Sequence, residues 1–410
     1  MKKFVSKGFA MILAGVLAVS AVGSVGAAEE VGSNGEVNVY NWGEYMPDGV
    51  DGSVDLIEKF EQETGIKVNY KEYDSNETLY AELKPGNTSY DVIIPSDYMI
   101  SRMIEEDMLE KLNFDNIPNY ANIMDAYKNT EDVQYDPTGE YSVPYTWGTV
   151  AIVYNKTMVD EPVDSWDILW DEKYAGNILM FDNSRDAFGI ALKKLGYSQN
   201  TTDEAELEAA AEELKKQKPL VQAYVMDQIF DKMGNGEAAV APYYAGDIIT
   251  MMAENPDLAY ALPKEGTNRF VDAMAIPKGA PNKENAEKFI NFMCDAENAA
   301  AVAEYIGYST PNQAAYELLD EEVRNNTIAY PEDSALEKTE FFLNLPAEIN
   351  QKVQELWVSI KTTDTSASGG TSTWIIAVVI AAVVVVIVAI FLIPVMKKKA
   401  SKKKVANRKK

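Results

Sequence analysis

The residues best equipped for chemistry sit together in one short stretch, Val37 to Tyr45, VNVYNWGEY, where two aromatic rings flank a carboxylate: Trp42, Glu44 and Tyr45. An aromatic face attracts a cation through its quadrupole, and a carboxylate offers charge-assisted hydrogen bonds to an ammonium group. The chemistry on offer is capture of an organic cation. A plainer reading has Trp42 and Tyr45 packing over a sheet edge while Glu44 faces water. On these residues alone both readings stand.

What the chain lacks narrows the field. It contains no histidine, and Cys294 is its only cysteine. Ser-His-Asp and Cys-His nucleophiles, histidine zinc sites, CxxC redox pairs and disulfides are therefore out of reach. A carboxylate-only glycosidase or a lysine-dependent enzyme stays formally open. Cys294 falls in FINFMC at helical spacing among apolar residues and reads as a small buried hydrophobe. The net charge is −27, with lysines at positions 2, 3 and 7 and nine basic residues from Lys397 to Lys410, so the body between is more acidic still. That field repels nucleic acid and anions and draws in small cations, although an acidic surface also serves plain solubility.

These residues need a scaffold. A length of 410 residues suggests two lobes plus extra segments. Val37 to Tyr40 reads as a short strand stopped by Gly43 and Pro47, and loops leaving strand ends are where open α/β sheets bind ligands. Residues 54–64 carry apolar residues at helical spacing and close at Gly65. Residues 66–73 alternate as a strand, 77–83 read as a helix, and YDVIIP (90–95) is a buried strand opening onto Ser96, Asp97 and Tyr98. That order indicates a mostly parallel sheet flanked by helices. A second set follows. An aromatic turn in SVPYTWG leads to a strand over 149–154, then come a strand over 177–181 and a helix over 185–195. Thr202 and Asp203 cap a charged helix through Lys216, a strand over 238–243 opens on Tyr244 to Asp247, a strand over 270–277 re-enters a core, and 284–292 is helical.

The ends carry different signals. Residues 1–27 have a basic start, an apolar run and a small-residue close, the pattern of a secretory signal cleaved after Ala27 or Ala28. No cysteine follows it to take a lipid. A Ser/Thr/Gly linker, 362–373, precedes an uninterrupted apolar run from Trp374 to Ile393, ~20 residues and enough to span a bilayer, within an expected transmembrane helix over 374–395. The basic tail, 396–410, keeps its own side cytoplasmic and the acidic body outside.

Taken in order, NWGEY, TGIKVNYKEYDSNETLYAELK, YDVIIPSDY, YSVPYTWGTVAIVYN, LGYSQNTTD, LPKEG, DAMAIP and IGYSTPN resemble the spermidine/putrescine-binding subunits of bacterial ABC transporters over residues 36 to 360. The resemblance implies an α/β, two-lobed fold of the type II periplasmic-binding-protein kind, with ligand held between lobes that two crossover segments join. On that basis the first lobe takes 36–145 and returns over 271–316, the second takes 146–270, and a C-terminal helical segment fills 317–361. Carried over residue by residue, the family's ligand contacts fall on Trp42, Glu44, Tyr45, Ser96 and Tyr98. On the second lobe and the return they fall on Asp186, Tyr244 in place of a usual tryptophan, Asp247, Phe270, Asp272 and Tyr308. Two positions depart from the family's spermidine-preferring members: Asn183 stands for an aspartate and Phe342 for a glutamine. Asp97 is an added acid beside Ser96.

The physics runs the same way. A linear polyamine is a methylene chain bearing ammonium groups, so aromatic walls suit the chain and spaced carboxylates suit the ends, at about 1.5–3 kcal/mol per charge-assisted bond. The expectation is a membrane-tethered solute-binding component of a putrescine or spermidine importer, not an enzyme, with no cofactor or metal. The resemblance implies permease and ATPase partners. The alternatives are a polyamine-sensing receptor ectodomain, against which the short tail counts, and a carboxylate-dependent hydrolase.

Overall fold

The computed structural model describes residues 32–86, 89–128 and 134–362. The expected signal at 1–27, the spanning stretch 374–395, the tail 396–410 and all but the first residue of the linker lie outside the described residues. Among those described, no helix is long and apolar enough to cross a membrane.

The chain opens with β1 (Glu36–Trp42), α1 (Leu56–Thr64), β2 (Lys67–Tyr73), α2 (Asn76–Leu83), β3 (Val92–Ile93) and α3 (Asp97–Glu105). The helix ends follow local chemistry. The Asp55 carboxylate accepts the Glu58 amide to start α1, and Gly65, at φ 66°, takes the left-handed conformation that stops it. Ser75 caps α2 in the same way through the Thr78 amide. β2, β1 and β3 run parallel.

β4 (Ser142–Asn155) is one unbroken strand of 14 residues, with an irregularity between Pro144 and Thr146. The expected aromatic turn in SVPYTWG is therefore strand. Burial is the physical reason: all but one of its residues are buried, so it lacks the alternation that marks a half-exposed strand. β4 links two sheets. Residues 142–149 pair with β9 (Arg269–Ala275) beside β3, and residues 150–155 pair with β7 (Val240–Tyr244) and β8 (Leu258–Ala261). β5 (Ile178–Phe181), α4 (Ser184–Lys194), α5 (Glu204–Gln217), β6 (Val221–Val225), α6 (Gln228–Gly234) and α7 (Ala245–Glu254) complete the second half. The sheet order is β2-β1-β3-β9-β4-β7-β5-β6, with β8 on β4. The sheet is mixed rather than mostly parallel. β2-β1-β3 and β6-β5-β7 are parallel, but the strands that cross between halves enter antiparallel. Strand–helix alternation shows the first arrangement and is silent on the second.

Two bodies of core result. One lies on the two faces of β1–β3 and β9, with α8 (Lys283–Met293) and α9 (Ala296–Ile306) on one side. Cys294 belongs to it, 1% exposed, and burial pushes its thiol up to about 12. The other surrounds β5 and β7, with α4, α5 and α7. After the short α10 (Gln313–Leu318), α11 (Glu321–Arg324) and α12 (Asp333–Leu336), the chain crosses once more. Glu340 exchanges backbone hydrogen bonds with Arg269 and Thr267 and ion-pairs with Lys193 of α4 at 2.5 Å. Phe341 packs with the first body and Leu345 with the second. α13 (Ala347–Thr362) then lies on the second body through Ile349, Val353, Trp357 and Ile360, and Lys218 caps its last carbonyls.

Candidate functional site

β4 and β9 carry the middle of the site. Alternation puts Phe270 and Asp272 on one face of β9 and turns Val271 and Ala273 into the core behind. The Tyr45 hydroxyl donates to Asp272 Oδ2 at 2.6 Å and lies 2.7 Å from the Thr146 hydroxyl. The Tyr145 hydroxyl holds the Tyr45 carbonyl at 2.7 Å. Asp272 is 5% exposed, and its Oδ1 has no hydrogen-bond partner. Burial lifts its carboxyl to about 6, with the hydroxyls of Tyr45 and, beside it, Ser96 pulling the other way.

The second body of core adds two acids built alike. Asp186, in the first turn of α4, accepts the Tyr244 hydroxyl at 2.8 Å, and Asp247, in the first turn of α7, accepts the Tyr308 hydroxyl at 2.9 Å. Burial raises both to about 7. Their helix N-termini favour the charged form, so desolvation is the larger effect. The rings form a continuous wall: Tyr244 meets Phe270 at 5.5 Å, Phe270 meets Tyr308 at 6.1 Å, and Tyr308 meets Tyr45 at 5.3 Å. Gly148 leaves room for Phe270, whose ring tip stands 2.9 Å from where a Cβ would be.

Nine of the eleven residues singled out by sequence thus lie in or beside this cluster of acids and rings. Ser96 bridges to Asp272 on the backbone and exchanges hydrogen bonds with Asn76. Tyr98 packs edge-on against Phe342 at 6.1 Å and donates to Glu77 at 3.2 Å. The other two stand apart. Trp42 ends β1 instead of lying in the loop, with its Nε1 on the Ile94 carbonyl and its ring against Tyr73. Glu44 is exposed, in the left-handed region at φ 55°.

The departures have structural roles. Asn183 caps α4, accepting the Arg185 and Asp186 amides. Asp97 is wholly buried and takes the Tyr98 and Val271 amides, so its carboxylate serves the backbone beside Ser96. Phe342 lies under the Arg185 guanidinium at 4.5 Å.

Sequence reasoning missed Arg185 and Glu77. Arg185 is 8% exposed, donates to Asn200 and the Leu343 carbonyl, and is lowered to about 10 by burial. Glu77 stands beyond Tyr98, and its charge helps keep the Asp186 carboxyl raised. An Arg before an Asp in a helix gives no signal of burial, and Glu77 reads as one more solvated acid.

Two α/β bodies joined by crossing strands, with buried acids and aromatic rings at the junction, define a periplasmic-binding-protein fold. The chain belongs to the family of bacterial extracellular solute-binding proteins, which it matches over residues 55–331. It is 40% identical over 328 residues to the spermidine/putrescine-binding periplasmic protein of Salmonella typhimurium, covering 80% of this chain and 92% of the relative. It is 34% identical to the putrescine-binding periplasmic protein SpuD of Pseudomonas aeruginosa, covering 85% and 97%. Among solved structures it resembles the spermidine/putrescine ABC transporter substrate-binding protein PotD of Streptococcus pneumoniae, with a TM-score of 0.69 and 39% identity over 80% of this chain and 98% of that one.

Proposed function

We propose that this chain is the extracytoplasmic solute-binding component of an ABC-type polyamine importer, of the type II fold, taking putrescine or spermidine between its lobes. The observation that carries the reading is the buried Asp272 carboxylate, whose Oδ1 has no hydrogen-bond partner and whose Oδ2 is held by Tyr45, a member of one ring wall with Tyr308 and Phe270. A buried carboxylate oxygen without a partner is costly, and an ammonium group removes that cost. Asp186 and Asp247 supply further charge, and the ring wall suits the methylenes. Ser96, Tyr98 and Tyr244 extend the proposed contact set, and Trp42 and Glu44 join it on the family resemblance alone. The proposed lobes are 36–145 with 271–316, and 146–270, with 317–361 following.

Such a protein performs no covalent step. It captures the cation in an open cleft, closes by hinge motion and delivers it to a permease driven by an ATPase. The apolar stretch 374–395 with its basic tail supports a tether to the membrane, leaving the acidic body outside. The similarity to named polyamine-binding proteins favours transport over a sensing ectodomain.

The test is calorimetric titration of residues 29–361 with putrescine, cadaverine, spermidine and spermine. Saturable binding of at least one, weakened tenfold or more by Asp272→Asn, supports the reading. Binding of none sinks it.

A further inference from the structure

Gly246 is the second residue of α7, between Tyr244 and Asp247. A Cβ at this position would lie 2.0 Å from Tyr308 Cδ2, 2.2 Å from Cε2 and 2.6 Å from Cγ. The ring cannot swing aside, because Tyr45 and Phe270 pack on it and its hydroxyl is bonded to Asp247. The same seam is tight on its other side. Gly307, which ends α9 at φ 74°, would put a Cβ 3.0 Å from the Gly246 carbonyl oxygen.

The two sides of this seam belong to different lobes. Ile248 and Met251 of α7 lie in the core around β5 and β7, whereas Val302, Ile306 and Tyr308 lie in the core with β1 and β3. The contact is therefore made by closure and broken by opening. With Gly246 in a helical first turn, an added methyl costs the open form nothing, since alanine favours the helix.

We propose that Gly246 is a positioning residue of the cleft: the missing side chain lets Tyr308 seat on the start of α7 and turn its hydroxyl onto Asp247, which sets how far the lobes close. The proposal rests on the polyamine reading for its ligand but not for its geometry. Gly246 has no side chain to offer a ligand and acts through Tyr308.

The experiment uses purified full-length protein and five variants: Gly246→Ala, Tyr308→Ala, Tyr308→Phe, and Gly246→Ala in each of the two Tyr308 backgrounds. Putrescine and spermidine are titrated calorimetrically. Closure is read as the distance between spin labels on cysteines replacing exposed Glu63 and Glu212, the native Cys294 being buried. Gly246→Ala is expected to leave the ligand-free Tm unchanged or slightly raised, to weaken binding at least tenfold and to abolish the ligand-induced shortening. Against Tyr308→Phe, which keeps the ring, it should be as damaging as in the wild type. Against Tyr308→Ala, which removes the ring, it should change affinity less than twofold. Equal loss in all backgrounds, or wild-type affinity and closure for Gly246→Ala, overturns the proposal. Should neither polyamine bind the wild type, the ligand reading falls separately, and the seam is judged on ligand-free distances. A short-distance population lost in Gly246→Ala then supports it, and identical distributions overturn it.

Discussion

Lowering the pH should loosen this protein's hold on a cation while steadying its empty fold. Asp186 and Asp247 have carboxyls raised to about 7, and Asp272 to about 6, in each case chiefly by burial. Asp186 is faced by the Tyr244 hydroxyl, Arg185 and Glu77, and Asp247 by Tyr308 and Asp227. An ammonium group binds the carboxylate and not the acid, so binding expels whatever proton is present. Below its midpoint, each engaged group costs about tenfold in affinity per pH unit, or about 1.4 kcal/mol. With two groups near 7, a diamine should bind about a hundredfold more weakly at pH 6 than at pH 8. Titrations in buffers of differing ionisation enthalpy at pH 7 should show between about one-half and one proton released per ligand.

The ligand-free protein should behave in the opposite sense. Acids whose folded pKa exceeds the unfolded value near ~3.9 stabilise the fold at low pH. That contribution is lost as pH rises through 6 to 7. Thermal melts without ligand should thus lose stability over the window in which affinity grows. Affinity flat from pH 6 to 8, with no proton released, would refute the reasoning, because the acids would then be ionised throughout or remote from the ligand.

Asp272→Asn should weaken polyamine binding by tenfold or more, while Glu208→Gln, which removes an exposed partner of Lys352, should change it by less than twofold on the same calorimeter. Asn183→Asp should improve spermidine relative to putrescine up to tenfold, about 1.4 kcal/mol; an unchanged ratio would leave Asn183 as a helix cap only. Ending the chain after Lys361 should release processed, ligand-competent protein into the medium, and its retention in the membrane fraction would count against the tether.

Legibility followed local chemistry. α1 could be read because Asp55 and Gly65 bracket an amphipathic stretch, and β5 and β7 because short apolar runs end at turn residues. β4 could be read only over 149–154, since Pro144 and Gly148 look like punctuation in its first half while its burial on both faces erases the period of two. The acids of the site came from family resemblance; in so acidic a chain nothing local separates Asp272 from Asp257. Arg185, Glu77 and the Gly246 seam depend on contacts between elements far apart in sequence, which no window of residues contains.

The placement of the three acids also bears on how a ligand enters. Asp272 lies on β9, a strand that crosses between the lobes, and its partner Tyr45 follows β1 of the first lobe. Asp186 and Asp247 ride on α4 and α7 of the second lobe. In the proposed hinge motion about the crossing strands, points move in proportion to their distance from those strands, so the Tyr45–Asp272 pair is expected to change least and the Tyr308–Asp247 pair most. An open cleft therefore presents Asp272 and the rings beside it as the first docking point, and closure brings the second-lobe acids onto a cation already held. On this account, Asp272→Asn should lower the association rate, whereas Asp247→Asn should mainly raise the dissociation rate. Stopped-flow measurements of both variants decide it: equal effects on the two rates would mean that all the acids engage the ligand together.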